Sequence, residues 1–502
     1  MKLRFNQLML WVLLGFSFST QAEDYYWDIP GSGLQRHPNP ASACKTEEGF
    51  RDYSPSVRLE WTYDHNIIHS RGDGYVSADC YFKVCVTGQR CQVMKYGRPS
   101  LAVRSGDGCS LPKTYDPETH SCKEPETPPK ENGPGECKNP SVGEPIRIAT
   151  GNMYHTDTDI AGELPLIRTY NSSLGYWRFN YETKLDIVDD QITLNLGDGK
   201  GYSYTKNNGN WESDPDVFHQ LTAVDEAEAK WLVKFSSNRQ VWFDENGRVI
   251  KQQWLDGKAY QYIYEASTAT ISDTKGNELT LKFNSDNQLI EANANSSYKV
   301  TYQYDAQKRL SSVVYPGKKE RRFHYENEQF PKYLTGVTDR RGIRSLVWEY
   351  DDQGRATVSE IANGKERYSL EYGNNQTTVT NPLGKKTTYY FKNYHGVNNV
   401  VKVEGHASAN CAAANKNYEY FDNGQLKSKT DWQGVKTTYQ YNDRGLTTEK
   451  TEAAGTPQAR TTETQWHVSF SLPLKVIEPG KTTTYEYNGK GQLTSQSQES
   501  TK

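Results

Sequence analysis

The sequence has 502 residues with a formal net charge of -3, and 35% of its residues are apolar. This slightly acidic balance argues against a strongly basic surface, so nucleic acid and anionic lipid are not expected as partners. Aromatic residues make up 12% of the chain, with 35 tyrosines among them, and aromatic side chains favour β-strands. Composition therefore favours a β-rich protein with much exposed surface.

The first 22 residues have the pattern of a secretory signal peptide. Lys2 and Arg4 precede an apolar run over residues 8–16, and small residues follow up to Ala22, where a signal peptidase would cut. The apolar run is too short to favour a membrane anchor. We therefore expect the chain to be exported and to end up secreted, at the cell surface or in a periplasm.

Seven of the eight cysteines lie between residues 44 and 137, and Cys411 stands alone. This spacing predicts disulfides, because no C-x-x-C pair is present to complete a zinc site. We predict a small disulfide-rich module over residues 23–123, with the candidate disulfide cysteines Cys44, Cys80, Cys85, Cys91, Cys109 and Cys122. Connectivity stays open, and Cys137 either pairs with Cys411 or leaves it free.

A stretch crowded with proline, glycine and charge follows over residues 124–145, and this composition predicts a linker. Downstream, short alternating apolar runs are broken by Gly, Asn and Asp, with no stretch of helical periodicity. The remainder of the chain is therefore predicted to be β structure.

Two stretches of this β region are variants of one phrase: YQYDAQKRLSSV, which begins at Tyr302, and YQYNDRGLTTEK, which begins at Tyr439. An aromatic residue that ends an alternating run recurs about every 21 residues, which is typical of a repeat architecture. A second turn of the form D-x-x-G, as at residues 273–276, lies between most copies. We predict one continuous antiparallel sheet over residues 240–500, in which each repeat needs its neighbours to cover its apolar face.

Each repeat combines an aromatic residue with an acid or amide that can cap a turn and a glycine that can take positive φ. These signature residues are Tyr304, Asp305, Tyr350, Asp351, Gly354, Asp422, Gly424, Tyr441, Gly445, Tyr487 and Gly491. We interpret the periodic aromatics as contacts between neighbouring strands. The alternative is that exposed aromatic rings stack on sugars.

These repeats resemble the YD repeats of the bacterial Rhs family, which also occur in animal teneurins. Just upstream, residues 145–173 resemble the module that opens many Rhs cores, with matching positions at Thr150, Gly151, Asn152, Asp159, Pro165, Leu166, Arg168, Tyr170, Asn171 and Ser172. The resemblance implies a mainly β fold, in which YD repeats over residues 236–502 form a spiral β-sheet, or partial shell. An Rhs-core opening module would occupy residues 146–235, after the disulfide-rich N-terminal module.

Full-length toxins of this family carry a D-P-x-G-L self-cleavage site and an effector domain after the repeats, and neither is present here. We therefore expect a fragment or partner of a polymorphic toxin system that works with a downstream-encoded shell or toxin segment. We also expect self-association through the last strands, because no capping unit follows them.

No H-E-x-x-H or G-x-S-x-G motif occurs in the sequence, so we expect no enzyme activity, no cofactor and no metal. The predicted function is that of an exported, non-catalytic shell or scaffold. The alternative is a secreted carbohydrate-binding or adhesive protein with cell-surface glycans as partners.

Overall fold

The computed structural model describes the backbone of eight strands between residues 26 and 123, then residues 130–134, 138–361, 363–406 and 414–500. The chain divides into two compact units, Met1–Glu126 and Thr127–Lys502. The predicted signal peptide, Cys137 and Cys411 lie outside the described residues. In the described part, no helix is long and apolar enough to cross a membrane.

The first unit contains the strands β1 (Tyr26–Asp28), β2 (Gly49–Ser54), β3 (Val57–Ser70), β4 (Val76–Val86), β5 (Gln92–Lys95), β6 (Ala102–Ser105), β7 (Thr114–Asp116) and β8 (Ser121–Lys123). The first six form an antiparallel sheet of order β1-β6-β4-β3-β2, with β5 paired to β4, and β7 pairs with β8. Cys80 in β4 is buried and disulfide-bonded. Cys85 in β4 and Cys122 in β8 are described by backbone only, and Cys44, Cys91 and Cys109 lie outside the described residues, so the disulfide framework stays a prediction.

The second unit begins with three small antiparallel sheets between residues 141 and 212, whereas the last part of the predicted opening module, from residue 220, already belongs to the long sheet. Their strands are β9 (Ser141–Val142), β10 (Ile146–Arg147), β11 (Tyr154–Ile160), β12 (Leu166–Asn171), β13 (Tyr176–Phe179), β14 (Lys184–Val188), β15 (Gln191–Asn195), β16 (Gly201–Asn207) and β17 (Asn210–Glu212). The sheets are β9–β10, β11–β13 and β14–β17.

A single antiparallel sheet of 26 strands follows, in which every strand pairs with the next one along the chain. Its strands are β18 (Gln220–Ala223), β19 (Trp231–Lys234), β20 (Gln240–Phe243), β21 (Val249–Gln253), β22 (Ala259–Tyr264), β23 (Thr268–Asp273), β24 (Glu278–Phe283), β25 (Leu289–Ala294), β26 (Tyr298–Tyr304), β27 (Leu310–Tyr315), β28 (Lys319–His324), β29 (Gly336–Thr338), β30 (Arg344–Tyr350), β31 (Ala356–Ile361), β32 (Lys365–Gly373), β33 (Gln376–Thr380), β34 (Lys386–Tyr394), β35 (Val397–Gly405), β36 (Ala414–Tyr420), β37 (Leu426–Thr430), β38 (Lys436–Tyr441), β39 (Thr447–Glu452), β40 (Arg460–Trp466), β41 (Pro473–Glu478), β42 (Lys481–Tyr487) and β43 (Leu493–Glu499). One 3-10 turn, Pro316–Lys318, interrupts it, and the described residues contain no α-helix. The predicted mainly β fold with one long sheet is confirmed.

The repeated aromatics make the same contact in copy after copy. The hydroxyl of Tyr304 donates to the carbonyl of Leu289 at 2.9 Å, and that of Tyr350 donates to the carbonyl of Leu334 at 2.7 Å. The equivalent bonds run from Tyr420 to Val400, from Tyr441 to Leu426 and from Tyr487 to Pro473. Each phenol thus ties its repeat to the backbone of an earlier one, which agrees with the interpretation of these aromatics as contacts between strands.

The turns after these tyrosines use the predicted chemistry. Oδ1 of Asp305 accepts hydrogen bonds from the backbone N–H groups of Gln307 and Arg309, and Asp351 does the same two and four residues on. Gly354 has a φ of 76°, and the φ angles of Gly424, Gly445 and Gly491 are 73°, 75° and 76°. The ladder also shifts register just before each aromatic, as between Gln303 and Tyr304, so a bulge introduces each turn.

Asp422 is a correction to the predicted signature. The aromatic that bonds to the preceding repeat is Tyr420, so Phe421 takes the position that Asp305 and Asp351 hold in their turns. The Asp422 side chain accepts no hydrogen bond from a described residue, and Asn423 accepts the N–H of Gln425 instead. The prediction had placed Asp422 in the capping position, one residue too late.

Because the strands are antiparallel and sequential, the turns alternate between two rims of the sheet. We call the rim with the turns that follow β20, β22 and later even-numbered strands the packed rim, and the other the open rim. On the packed rim, a Cβ added at Gly445 would lie 2.6 Å from the ring of Phe218. On the open rim, a Cβ would meet no atom within 4 Å at Gly276, Gly317, Gly342, Gly364, Gly384, Gly434 or Gly455.

The packed rim of the late strands lies against the beginning of the same sheet. The turn after β38 contacts Phe218 between β17 and β18, and the turn after β42 contacts Leu255 between β21 and β22. Between these two contacts, the N–H of Ser471, after β40, donates to Oδ1 of Asn238, after β19, at 2.7 Å. In all three cases the partners follow strands that are 21 positions apart, namely β17 and β38, β19 and β40, and β21 and β42. The sheet therefore curls onto itself with one regular pitch.

The described parts of the predicted linker, residues 130–134 and 138–145, are packed rather than solvated. The buried Nζ of Lys130 donates to Asp214 Oδ2 at 2.5 Å, to Asp216 Oδ1 at 2.7 Å and to the carbonyl of His395 at 2.8 Å. The N–H of Val400 donates to the carbonyl of Lys138. Because carboxylates far along the chain compensate this charge, the polar composition here does not indicate exposure.

Candidate functional site

The most concentrated set of buried charges lies where the opening sheets meet the long sheet. Asp157 and Asp159 alternate with exposed residues in β11, so both carboxylates lie on one face, opposite Arg168 in β12. The Arg168 side chain is fully buried, with Nη2 2.6 Å from Asp157 Oδ2 and Nε 2.8 Å from Asp159 Oδ2. We call this set, with the side chains that bond to it, the arginine junction.

The long sheet completes the arginine junction. The hydroxyls of Tyr302 and Tyr315 donate to the two oxygens of Asp159 at 3.0 and 2.6 Å. Arg321, in β28, donates through Nη1 to Asp157 Oδ1. The junction therefore joins the opening sheets to β26, β27 and β28 through largely buried hydrogen bonds.

Two aromatic rings shield the guanidinium of Arg168. Its Cζ lies 4.3 Å from the ring centroid of Trp177 and 4.5 Å from that of Phe323. Both distances are within the range of cation–π attraction. Burial acts to lower the pKa of Arg168, but the carboxylate of Asp159 and the phenol of Tyr315 raise it overall. Arg168 therefore stays charged and structural.

His155 packs beside the junction without becoming a proton donor. Its ring lies 6.0 Å from that of Trp177 and 5.6 Å from that of Trp348. Burial, with the positive charges of Arg168 and Arg321, lowers the pKa of His155 to about 3. The imidazole is therefore neutral near pH 7. Since the two arginines balance the charges of the two aspartates, the junction holds the strands together and does not form an acid–base pair.

The matched positions of the opening module hold a second, neutral network. Nδ2 of Asn152 donates to Oδ1 of Asn171 at 3.0 Å, and Oδ1 of Asn152 accepts from Ser172 and from the N–H of Ser173. Thr150 Oγ1 accepts the N–H of Asn152 at 3.3 Å. These polar groups bond to one another, so they shape the turn and leave few free partners.

Gly151 and Tyr170 connect this network to the repeats. Gly151 has a φ of 72°, its carbonyl accepts the N–H of Ala356, and an added Cβ would lie 2.4 Å from Cβ of Arg355. The Tyr170 hydroxyl donates to the carbonyl of Lys332 at 2.8 Å. A cavity of about 330 Å³ lies beside them, lined by Lys130, Glu131, Asn132, Thr150, Gly151, Asn152, Ser172, Ser173, Tyr333, Gln353, Gly354, Arg355 and Gly396.

Sequence reasoning identified Arg168 and Asp159 through the family resemblance but missed Asp157, Arg321 and His155. The alternation D-T-D in residues 157–159 was an available signal, since it places two acids on one strand face. The contribution of Arg321 comes from a distant strand and has no local signal. Among the described residues, no group of three or more His, Cys, Asp or Glu side chains could hold a metal ion.

Family comparisons match three consecutive parts of the chain. The domain of unknown function DUF6531 matches residues 143–204, the teneurin YD-shell matches residues 230–370, and the RHS repeat matches residues 420–457. With the bulged repeats and the long sheet, these matches define an Rhs/YD-repeat protein. The predicted family is confirmed.

One curated relative is the probable deoxyribonuclease RhsB of Dickeya dadantii (strain 3937). It is 21% identical over 359 residues, which cover 62% of this chain and 23% of the relative. The chain thus spans about a quarter of that relative's length.

The solved structures that match include two Tc toxin assemblies. The structure of TcdB2-TccC3 without its hypervariable C-terminal region has a TM-score of 0.35 and 11% identity, over 87% of this chain and 29% of that one. The Photorhabdus luminescens Tc holotoxin pore has a TM-score of 0.31 and 10% identity, over 70% of this chain and 22% of that one.

Proposed function

We propose that this chain is a non-catalytic wall segment of a YD shell in a toxin system, exported from the cell and used in competition between cells. The observation that supports the proposal most strongly is the regular curl of the long sheet. Its late packed-rim turns contact the segments that follow strands 21 positions earlier. Such a sheet makes a curved, continuous wall. Nothing in this construction requires a substrate.

The buried chemistry of the described residues is consistent with a wall. The arginine junction pairs its charges internally, and the Thr150–Asn152 network bonds to itself. Catalysis usually needs a nucleophile or base held within reach of a substrate, and neither network offers one. Both networks instead hold the opening sheets against the repeats.

The open rim is the surface to which a further segment of such a wall would bind. Leu255 is the second residue of the open-rim turn that ends at Gly257, and it contacts the packed-rim turn that contains Gly491. Trp432 holds the same position relative to Gly434, is 39% exposed and has no such partner among the described residues. We infer that a further YD-repeat segment, encoded downstream, seats its turns along this rim.

A competition assay with rim variants tests the proposal. Deletion of the gene in its source strain should reduce survival against a competitor, and the wild-type gene should restore it. Gly445→Val should fail to restore it, because the valine must displace Phe218, whereas Gly434→Val on the open rim is the matched control with the same positive φ. A deletion with unchanged competition, or DNA cleavage by the purified chain, would refute the proposal.

A second candidate function is carbohydrate binding, and the exposed indole of Trp432 is the observation that favours it. The Lys416 ammonium lies 4.8 Å from the ring centroid and so occupies one side of the ring. A glycan array with the purified chain should then give a signal that Trp432→Ala removes and Trp211→Ala retains. If the chain is only a wall segment, neither the wild-type chain nor the variants should give a signal.

A further inference from the structure

A depression of about 500 Å³ with charged lining residues lies next to the arginine junction. It is lined by Asp157 and Thr158 of β11, by Arg321 of β28, and by three residues of the open-rim turn after β29, Asp339, Arg340 and Arg341. Its size is that of a pocket for a small molecule rather than for a single water. Three guanidinium groups thus share one concave surface.

The carboxylates around this depression are already satisfied. Asp157 accepts from Arg168 through one oxygen and from Arg321 through the other. Asp339 accepts Nε and Nη2 of Arg341 through Oδ2, and its Oδ1 accepts the backbone N–H groups of Arg341 and Ile343. These acids have little capacity left for another donor.

Donors remain in excess. Among the described residues, Arg340 has no carboxylate within ion-pair distance, and Nε of Arg321 is buried without a hydrogen-bond acceptor. The exposed hydroxyl of Thr158 adds a further donor. The lining groups and those bonded to them comprise four arginines (Arg168, Arg321, Arg340 and Arg341) and three aspartates (Asp157, Asp159 and Asp339), which leaves one positive charge uncompensated.

Arg340 is exposed, but its guanidinium rests on an aromatic ring. Its Cζ lies 3.6 Å from the ring centroid of Tyr315, and the hydroxyl of that tyrosine donates to the buried Asp159 at 2.6 Å. The arginine junction therefore fixes the ring on which Arg340 rests. A pre-positioned guanidinium loses less freedom when it binds a ligand, and its fork matches an oxyanion.

Other open-rim turns with a D-x-x-G or N-x-x-G pattern lack the two arginines. At the positions of Arg340 and Arg341, residues 274–275 are Thr and Lys, residues 382–383 are Pro and Leu, and residues 432–433 are Trp and Gln. Lys275 already pairs with Glu163 at 2.6 Å. The turn after β29 is thus distinguished by two arginines beside a third.

We propose that this depression binds an oxyanion group, a carboxylate or a phosphate, of a polar ligand, through Arg340, Arg341, the exposed part of the Arg321 guanidinium and the Thr158 hydroxyl. The ligand would supply the acceptors that the lining lacks, and charge-assisted hydrogen bonds to guanidinium are among the strong ones. The pKa of Arg321 is lowered first by burial and then by the charge of Arg340, and a bound anion would relieve that repulsion. This site is independent of whether the chain acts as a shell wall.

The test uses the full chain with inorganic phosphate and with acetate, at an ionic strength held constant with chloride. The melting temperature should rise with phosphate or acetate more than with chloride alone. The apparent affinity should fall about tenfold in Arg340→Gln, as expected for loss of a charge-assisted contact. Arg322→Gln is the control, because Arg322 lies on the same strand, pairs with Glu320 and does not line the depression.

Thr158→Val provides a second variant that leaves the stacking of Arg340 on Tyr315 intact and should also weaken binding. Equal ion effects in the wild type and all three variants would mean an adventitious ion only and would overturn the proposal. No stabilisation of the wild type beyond that of chloride would overturn it as well.

Discussion

Tyr302 and Tyr439 begin two copies of the same phrase, yet they lie in different surroundings. Tyr302 is 4% exposed and donates its hydroxyl to Asp159, whereas Tyr439 is half-buried and its hydroxyl bonds to no described residue. The strands around them differ in the same way: β24 buries Leu279 and Leu281, but β40 has no buried residue. The early repeats have the opening sheets to cover them, and the late repeats do not.

This contrast separates what a repeat specifies from what its neighbours add. The tyrosine hydroxyl bond, the bulge and the positive-φ glycine occur in both regions, as at Tyr350 and Tyr487. Among the described residues, no hydrophobic side chain after Tyr420 is buried, and the ionic clamp joins the opening sheets to β26, β27 and β28. A repeat therefore forms its own strands and turns, while the stability of the region depends on the surface against which it packs.

The largest expected effect is at the arginine junction. Arg168→Met leaves Asp157 and Asp159 as uncompensated buried charges and should lower the free energy of unfolding by about 3–5 kcal/mol in denaturant titrations. Lys450→Met is the late-region counterpart, since it breaks an exposed pair with Glu452, and it should cost less than about 1 kcal/mol. Equal costs in the two variants would remove the distinction between clamped and unclamped repeats.

The pH dependence of stability should also distinguish the early region. His155 has a folded-state pKa of about 3, below its usual value, so its stabilising contribution is complete above about pH 6.5 and is lost as the pH falls toward 3. Between pH 7 and pH 5 this amounts to about 2 kcal/mol, which His155→Gln should abolish. The exposed His406→Gln is the control. An unchanged pH profile in His155→Gln would show that the ring is not kept neutral by burial.

Substitution of a turn glycine by alanine should destabilise the protein more on the packed rim than on the open rim. Gly434→Ala places a side chain at a positive φ and should lower the free energy of unfolding by about 1 kcal/mol. Gly445→Ala has the same backbone strain and also forces Cβ against the Phe218 ring, so it should lower the free energy of unfolding by about 1–2 kcal/mol more. Thermal unfolding of both variants measures the difference. Identical melting temperatures would mean that the Gly445 turn does not contact the start of the sheet.

The smallest expected difference concerns a hydrogen bond that both regions share. Tyr350→Phe removes the donor to the carbonyl of Leu334, a fully buried residue, and should cost about 1 kcal/mol. Tyr487→Phe frees the carbonyl of the half-buried Pro473, which water can then reach, so its cost should be smaller. The reverse order would indicate that the late strands are the better packed ones.

Local pattern accounts for the features that could be predicted. The alternating runs, the Asp305 and Asp351 caps and the positive φ of Gly354 depend on residues a few positions apart, so the period of the sequence exposes them. The error at Asp422 has the same origin, because two adjacent aromatics made the alignment of that turn ambiguous.

Contacts between distant strands account for what could not be predicted. Phe218 against Gly445, Arg321 on Asp157 and Lys130 between Asp214 and Asp216 join residues with no fixed spacing. For Lys130, composition even suggested the opposite, because a lysine in a proline-rich stretch is typical of a solvated linker. Such pairings follow from the pitch of the curl, which is a property of the assembled sheet.

The most direct test of this pitch is photo-cross-linking in the full chain. With p-benzoylphenylalanine in place of Leu255, illumination should produce an intramolecular cross-link to the turn over residues 488–492, located by mass spectrometry. The same photoreactive residue in place of Trp432, at the equivalent position on the open rim, should give no cross-link to a packed-rim turn. Absence of the first link, or equal yields of packed-rim links from both positions, would contradict a sheet that closes on itself 21 strands later.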